Sequence, residues 1–246
     1  MRLQGERGRR FALAVEDVGQ DRSGAFTFGA PRRSRFSASR WVALSPRAFA
    51  GAPDREQPVE FRVRVPRDAE PGDHVTSITV KRLASPGSGS AALVQAVAVR
   101  LTIRVAGTLR PAVELRELSV PSIAGGGPVG AAVTVRNTGN VRLDFDHANR
   151  GALAVQGHEQ DPDGRLAFFG VLYPGEARTF RLVWEDPPVI GRFGVRAAVR
   201  LPGGETAIRR TVWIIPWRQA LALALVALAA ALVLGGRRAR RKRERP

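Results

Sequence analysis

Residues Val97 to Val105 read VAVRLTIRV, and this stretch shows most plainly how the chain folds. Apolar side chains occupy every second position, and alanine, arginine and threonine occupy the positions between them. A period of two is that of a β-strand, because successive side chains point to opposite faces of a sheet. We therefore predict a strand with one apolar face packed on a core and one arginine-bearing face in solvent.

The same alternation recurs through most of the chain and predicts an all-β protein. Further strands are predicted at Phe11–Val15, Phe26–Phe28, Trp41–Leu44, Phe61–Val65, Val129–Arg136, Phe180–Trp184 and Phe193–Arg200. Segments rich in proline, glycine and asparagine separate these runs, as tight turns require. They are PRDAEPGD (Pro66–Asp73), NTGN (Asn137–Asn140), YPGE (Tyr173–Glu176) and LPGGE (Leu201–Glu205).

A weak internal repeat indicates two domains built on one plan. FRVRVPRDAEPGDHVTSITV (Phe61–Val80) parallels FRLVWEDPPVIGRFGVRAAV (Phe180–Val199) in its two strands and proline-containing connection. Short strands with regular turns favour immunoglobulin-like β-sandwiches. We predict tandem sandwiches over residues 1–106 and 107–212, with the boundary near Gly107–Pro111.

The first predicted domain has few candidate strands before Phe61, fewer than an immunoglobulin-like sandwich normally needs. The apolar run Phe11–Val15 is also too short for the hydrophobic region of a signal peptide. We therefore expect that the recorded chain begins downstream of the true start, and that a signal peptide and further strands precede Met1.

The C-terminal region predicts a membrane anchor. Ala220 to Gly236 read ALALALVALAAALVLGG, and this run would form a helix of roughly 25 Å, close to the thickness of a hydrocarbon core. Trp213 and Trp217 suit an interfacial aromatic belt, and Arg218 can extend towards the headgroups. We predict a transmembrane helix with its aromatic flank over residues 213–236.

The basic tail sets the predicted orientation. Residues 237–246 read RRARRKRERP, beginning with Arg237 and Arg238. Positively charged flanks remain in the cytoplasm, so we expect an extracellular location for both β-domains of a single-pass protein in the cell membrane. The alternative is a buried core helix followed by a nucleic-acid-binding tail. It is disfavoured because the apolar run has no polar stripe, and we expect no nucleic-acid partner.

The formal net charge of +17 has two interpretations. Arg62, Arg64, Arg100 and Arg104 lie on predicted strands and form a candidate basic face for an anionic polymer. The alternative is an ordinary solvated sheet face, where charges prevent edge-to-edge aggregation. Arginine, alanine, glycine, valine and proline are also the residues that a GC-rich genome favours.

Residue chemistry argues against catalysis. The chain has no cysteine, which excludes disulfides, thiolate zinc ligands and thiol nucleophiles. Its three histidines, of which His74 is predicted in a turn, lack the spacing of a helical metal site. No phosphate-binding, dinucleotide or nucleophile-elbow motif occurs. We expect no enzymatic activity, no cofactor and no metal.

Two segments resemble the bacterial WxL-interacting protein family: WVALSP from Trp41 and VPRDAEPGDHVTSITV from Val65. They are similar to the C-terminal part of that family's peptidoglycan-binding domain. The matching positions are Trp41, Val42, Val65, Pro66, Asp68, Ala69, Pro71, Gly72, Asp73, His74 and Ile78. The resemblance implies a second β-sandwich, one transmembrane helix, a basic tail and binding to peptidoglycan.

These features together predict a membrane-anchored surface protein that binds without turnover. Its expected partner is a cell-wall polymer, a surface protein or both, in addition to the lipid bilayer. The alternative is an accessory ectodomain of a secretion or surface-assembly system, which would capture exported subunits by strand addition.

Overall fold

The computed structural model confirms the all-β prediction. It describes residues 10–29, 34–51, 56–83, 96–145, 151–155, 167–168, 170–217 and 221–232, with the side chains of 151–155 and 167–168 left out. The strands are β1 Arg10–Gln20, β2 Phe26–Gly29, β3 Val42–Ser45, β4 Ala48–Ala50, β5 Glu60–Val63, β6 Gly72–Arg82, β7 Ala96–Val105, β8 Val113–Ser119, β9 Ile123–Ala124, β10 Val129–Asn137, β11 Leu143–Phe145, β12 Gly151–Val155, β13 Ala167–Phe168, β14 Gly170–Leu172, β15 Ala177–Trp184, β16 Gly191–Leu201 and β17 Gly204–Ile214. A short 3-10 turn, Ser39–Trp41, precedes β3.

Strands β8 to β17 form a sandwich that we call domain 2. One sheet has the order β15-β10-β8, and the other has the order β13-β12-β16-β17-β9. The orders β8-β10-β15 and β12-β16-β17 correspond to the A-B-E and C-F-G strands of an immunoglobulin-like sandwich. The short β9 pairs in parallel with the end of β17.

The core of domain 2 follows the predicted alternation. Every second residue is buried along β10, from Phe180 to Trp184 in β15 and from Val195 to Val199 in β16, while the residues between them are half-buried or exposed. Val133 and Val135 of one sheet and Ala197 of the other are fully inaccessible. They belong to one cluster that includes residues from both sheets, so the two apolar faces pack on each other.

Strands β1 to β7 form the smaller unit that we call domain 1. Its main sheet has the order β2-β1-β6-β7, with β4 paired to the start of β1. The facing strands β3 and β5 pair only with each other among the described residues. The order β1-β6-β7 corresponds to the C-F-G strands of the same sandwich plan.

Domain 1 departs from the prediction for its last strand. The apolar face of β7 was expected to be packed, but Val97 is 42% and Val99 59% exposed. The facing strand β5 is also exposed at all four positions, including Phe61 at 49%. The reason is structural: in the described residues, a two-stranded sheet is too narrow to cover the main sheet.

Polar contacts supplement the thin core of domain 1. Glu16 of β1 is nearly inaccessible and forms an ion pair with Lys81. Its Oε2 accepts a hydrogen bond from the Thr79 hydroxyl at 2.9 Å. Burial alone would raise the pKa of Glu16, but the bonds from Lys81 and Thr79 outweigh it and hold the pKa below its ordinary value.

The internal repeat corresponds to equivalent strand pairs. Phe61–Val80 contains β5 and β6, and Phe180–Val199 contains most of β15 and β16. In each copy, the first strand lies in one sheet and the second strand in the other. Domain 1 ends with β7 at Val105 and domain 2 begins with β8 at Val113, on either side of the segment where the boundary was predicted.

The C-terminal segment contains one described helix, residues 221–232, which we call α1. All of its residues are exposed, and they are only alanine, leucine and valine. Within the described part of the chain, no helix has both the length and the apolarity needed to cross a membrane. Residues 218–220, 233–236 and the tail 237–246 lie outside the described residues.

Candidate functional site: the free edge of β7 and the joint beside it

Among the strands that the structure describes, β7 has one free edge. It is the terminal strand of its sheet and pairs along its whole length with β6 alone, from Ala96 opposite Lys81 to Val105 opposite Gly72. A free edge presents unpaired backbone N–H and C=O groups, which can pair with another strand.

The hydrogen bonds of β6 show which backbone groups of β7 point outwards. The Val75 N–H donates to the Phe36 carbonyl at 2.9 Å, and the Val75 carbonyl accepts from the Ala38 N–H at 3.1 Å. Both groups of Val75 therefore point away from β7. Because directly opposite residues of an antiparallel pair share the same bonding state, the N–H and C=O of Thr102 also point away from β6.

The outward orientation of the Thr102 backbone groups recurs along β7. Residues two apart on β7 have the same orientation, so Ala96, Ala98, Arg100 and Arg104 also direct their backbone groups to the open edge. The odd-numbered residues between them bond to β6. The free edge thus carries five evenly spaced donor–acceptor positions, at every second residue from 96 to 104 in the β7 register.

The side chains of β7 differ on its two faces. Val97, Val99, Leu101 and Ile103 share one face because they alternate along the strand. That face is most exposed towards the start of β7, at Val97 and Val99. An added strand would therefore find an apolar surface beside unpaired backbone groups.

The end of β7 is fixed in a joint between the two domains. Asp73 of β6 is 1% exposed. Its Oδ1 accepts from Arg104 Nε at 2.7 Å, and its Oδ2 accepts from Arg104 Nη2 at 2.9 Å and from the Arg142 N–H at 2.8 Å. One carboxylate therefore holds β7 of domain 1 and the start of β11 of domain 2 together.

The charge of Asp73 is stabilised where it lies. Burial would raise the pKa of this carboxyl, but the two bonds from Arg104 and the bond from the Arg142 amide outweigh burial. The pKa of Asp73 is therefore below its ordinary value. The pKa of Arg104 is raised by the same hydrogen bonds and by the charge of Asp73.

Asn140 clamps the linker between the domains. Its Nδ2 donates to the Pro71 carbonyl at 2.8 Å and to the Thr108 carbonyl at 2.9 Å. Its Oδ1 accepts from the Arg110 N–H at 2.7 Å. Gly72 is needed here because its φ is +127° and a Cβ would lie 2.1 Å from the Asn140 carbonyl oxygen.

A second contact joins the domains through Gln20, at the end of β1. Gln20 Nε2 donates to the Val171 carbonyl at 2.8 Å, and Gln20 Oε1 accepts from the Tyr173 N–H at 3.1 Å. The Tyr173 ring packs edge-on against Phe26 of β2, with 5.9 Å between centroids. These contacts are a second link between the two domains.

The residues of the family-like motif occupy two kinds of position. Val65, Pro66 and Asp68 lie in an exposed turn that the Ala69 N–H closes on the Pro66 carbonyl at 3.3 Å. Pro71, Gly72 and Asp73 belong to the joint described above. The motif thus leads from a surface turn into the contact between domains.

His74 differs from its predicted position in a turn. It is the third residue of β6 and is 1% exposed. Its ring lies 4.4 Å from the Trp41 ring, and its Nε2 lies 2.9 Å from the Glu70 carbonyl. The alternating strand begins earlier than the proline-glycine pair suggested, so the imidazole is in the core of domain 1.

The candidate basic face is divided. Arg62 lies on β5 and Arg64 just beyond it, whereas Arg100 and Arg104 lie on β7 in a different sheet. The Arg100 guanidinium lies 3.8 Å from the centre of the Phe26 ring. Arg104 is neutralised by Asp73. The four residues are therefore not one continuous stripe.

The predicted anchor residues are partly described. Trp213 lies in β17 and pairs with Arg192 and Ile123, so it belongs to domain 2 and not to a helix. Trp217 follows at the end of the described domain and is 51% exposed. Arg218, Arg237 and Arg238 lie outside the described residues.

The described residues contain no group of three or more histidine, aspartate or glutamate side chains placed to hold a metal. A groove of about 580 Å³ lies along β3 and β5, lined by Ala43, Leu44, Ser45, Val59, Glu60, Phe61 and Arg62.

Sequence analysis missed Asn140, Gln20 and Arg142 as parts of the joint. Asn140 was recognised only as a turn former. Its partners lie 69 residues away at Pro71 and 32 away at Thr108. No periodic or local signal links positions so far apart.

No protein-family model and no curated protein matches the chain. It has distant likenesses among solved structures. A chaperone–tip adhesin complex of CFA/I fimbriae biogenesis is 8% identical, with 86% of this chain and 88% of that chain covered and a TM-score of 0.42. The E. coli chaperone DraB is 13% identical, with 87% of each chain covered and a TM-score of 0.36. The CsuC–CsuE complex of Acinetobacter baumannii is 12% identical, with coverage of 87% and 89% and a TM-score of 0.38. Likenesses this distant carry no argument, so the interpretation depends on the chain's own geometry.

Proposed function

We propose that the chain is a surface binding module that captures an extended segment of a partner protein by adding it as a strand to β7. The free edge of β7, bordered by exposed valines, is the observation that supports this proposal. Backbone hydrogen bonds would supply affinity, and side chains on alternate positions would supply selectivity. Binding would involve no chemical turnover.

Domain 2 has a supporting role in this proposal. Edge strands are usually short, twisted or covered to prevent aggregation. Here β7 is long, and its far end is held by Asp73 and the linker contacts of Asn140. A strand fixed at one end by a second domain is a preorganised template, which lowers the entropic cost of binding.

A proline substitution tests strand addition directly. The probe is a fluorescent ten-residue peptide that alternates valine with serine and lysine, and binding is followed by fluorescence anisotropy. Ala98→Pro removes a backbone donor from the open edge but no hydrogen bond to β6. We expect it to weaken binding by about tenfold, because one hydrogen bond and strand complementarity are lost.

Ala98→Thr is the matched control, because it changes the side chain and retains the N–H. We expect it to bind the probe nearly as well as the unmodified chain. Two N-methylated versions of the probe extend the test. Methylation of the alternate amides that point towards β7 should abolish binding, and methylation of the amides that point away should not. Equal binding by Ala98→Pro and Ala98→Thr would exclude β7 as the capture strand.

A second candidate function is binding of a cell-wall polymer at the β3–β5 groove. The groove combines the exposed Phe61 ring with Arg62, and its wall includes Ala43 to Ser45 of the WVALSP segment that carries the family resemblance. We propose peptidoglycan or an associated anionic polymer as its ligand. Retention of the chain on isolated cell wall should fall as salt rises.

Charge reversal distinguishes strand capture at β7 from polymer binding at the β3–β5 groove. Arg62→Glu combined with Arg64→Glu should reduce wall retention and leave peptide binding unchanged. Arg181→Glu combined with Arg209→Glu, at exposed positions of β15 and β17 in domain 2, changes the net charge equally and is the control. Wall retention that is independent of salt and of these substitutions would contradict polymer binding at this groove.

A further inference from the structure

The end of domain 2 from which the chain leaves towards α1 carries exposed apolar side chains. Val189 is 71% and Ile190 68% exposed, in the loop just before β16. Ile123 is 60% and Trp213 49% exposed on neighbouring strands. With Trp217, these residues form a surface that we call the apolar end.

Strand pairing places these residues together. Trp213 lies directly opposite Ile123 in the parallel pair of β17 and β9. Gly191, which follows Ile190, lies opposite Ile214. A Cβ on Gly125 would lie 2.6 Å from the Trp217 indole nitrogen, so Trp217 packs over the segment after β9. The apolar end is therefore one region of the fold.

The next part of the chain indicates what covers this region. The described part of helix α1 starts four residues after Trp217, and its leucines and its valine are exposed, from 54% at Leu221 to 71% at Leu223. A helix that is apolar all round needs an apolar environment. The apolar end and α1 are consecutive along the chain, so one environment would serve both.

The polar groups at this end suit a lipid interface. Tryptophan favours the boundary between headgroups and acyl chains, where its ring is apolar and its N–H remains hydrated. The Arg192 guanidinium lies 5.8 Å from the Trp213 ring centre, where it can reach phosphate groups.

We propose that the apolar end of domain 2 docks on the surface of a phospholipid bilayer, with Val189 and Ile190 inserted at the interface. This contact is additional to any anchoring by α1 and independent of strand capture by β7. It would hold domain 2 in one orientation on the membrane, whereas attachment through α1 alone would leave the domain free to tilt. Domain 1, with the free edge of β7, would then be held away from the lipid.

Spin labelling can test this because the chain has no cysteine. The full chain carrying Ile190→Cys is labelled and incorporated into vesicles of phosphatidylcholine and phosphatidylglycerol. Collision of the label with oxygen and with a water-soluble nickel chelate is measured by power saturation. Gly203→Cys is the control, because it lies in the exposed turn at the opposite end of the β16–β17 hairpin, with no atom within 4 Å of its Cβ position.

We expect the oxygen-to-nickel collision ratio to be several-fold higher at position 190 than at position 203. Equal ratios at the two positions would overturn the proposal, and so would failure of the chain to float with the vesicles. Spin–spin broadening at position 190 that disappears on dilution with unlabelled chain would also overturn it, because a second copy would then cover the surface.

A double variant provides the second measurement. Val189→Asp with Ile190→Asp leaves α1 intact but should detach the apolar end. Energy transfer from a dye on Gly203→Cys to labelled headgroups should then increase, because domain 2 can tilt towards the bilayer. Unchanged transfer in the double variant would show that the apolar end does not set the orientation.

Discussion

Domains 1 and 2 share the alternating pattern but use it differently. In domain 2, the apolar faces of both sheets are buried against each other, and Val133, Leu172 and Ile214 are fully inaccessible. In domain 1, the apolar face of β7 is half open, and much of the buried surface is polar, as at Glu16, Thr76 and Ser77. One strand pattern can therefore build either a buried core or an exposed apolar surface, depending on the width of the facing sheet.

This difference also assigns a structural role to the joint. Domain 2 has a continuous hydrophobic cluster of its own. The small cluster of Val18, Val75 and Tyr173 contains residues of both domains. Domain 1 therefore depends on domain 2 for part of its stability, through apolar packing and through Asp73. Trp41 and Trp184 lie in different domains and can report on their unfolding separately.

The largest expected effect is the loss of the domain 2 core. Leu172→Ala removes a fully buried side chain and should lower the free energy of unfolding by about 2–5 kcal/mol. Urea denaturation followed by fluorescence would measure it, with variants that retain either Trp41 or Trp184. The Trp41 and Trp184 transitions should both shift to lower urea concentrations, because part of the stability of domain 1 comes from its contacts with domain 2. A shift of the Trp184 signal alone would show that domain 1 is independent.

The next effect concerns the joint. Asp73→Asn removes the charge but retains the shape, and it should cost about 1–3 kcal/mol because charge-assisted hydrogen bonds from Arg104 and Arg142 are weakened. The Trp41 transition should shift more than the Trp184 transition. The control is Asp144→Asn, whose pair with Arg142 is exposed, and we expect a change of about 0–1 kcal/mol there.

Acid should remove the stability that the Asp73 carboxylate contributes at the joint. The pKa of Asp73 is lower in the folded chain than in the unfolded chain, where it is about 3.9. The stability it contributes is therefore fully present above pH 4 and is lost as the pH falls through the folded-state pKa. The difference in unfolding free energy between the unmodified chain and Asp73→Asn should shrink in that range. A difference that stays constant down to pH 2 would contradict this assignment.

The smallest expected effect is at the open face of β7. Val99→Thr replaces a 59% exposed side chain with one of equal shape, and stability should change by less than about 0.5 kcal/mol. The same substitution at Val133, which is 0% exposed, buries a hydroxyl and should cost about 1–3 kcal/mol. Equal costs at the two positions would show that β7 is covered in solution.

The sequence predicted the strands well because their signal is local. Alternation located β7, β10, β15 and β16, and the NTGN, YPGE and LPGGE segments lie at turns in the structure. The position of His74 was wrong because the proline-glycine pair was taken to extend the turn, whereas β6 begins at Gly72. Whether the four arginines of the candidate basic face form one continuous stripe could not be predicted, because register and sheet membership are not encoded in a period of two.

The all-β class, the approximate strand positions and the apolar C-terminal run follow from the order of neighbouring residues alone. Which apolar face is buried, which edge is free among the described strands and how Asp73 meets Arg104 and Arg142 depend on the assembled fold. Those outcomes depend on pairing between segments far apart in the chain, where burial and hydrogen bonding are properties of the assembled sheets. The free edge of β7 arises for the same reason: its alternation resembles that of buried strands, and only the absence of a neighbour among the described strands sets it apart.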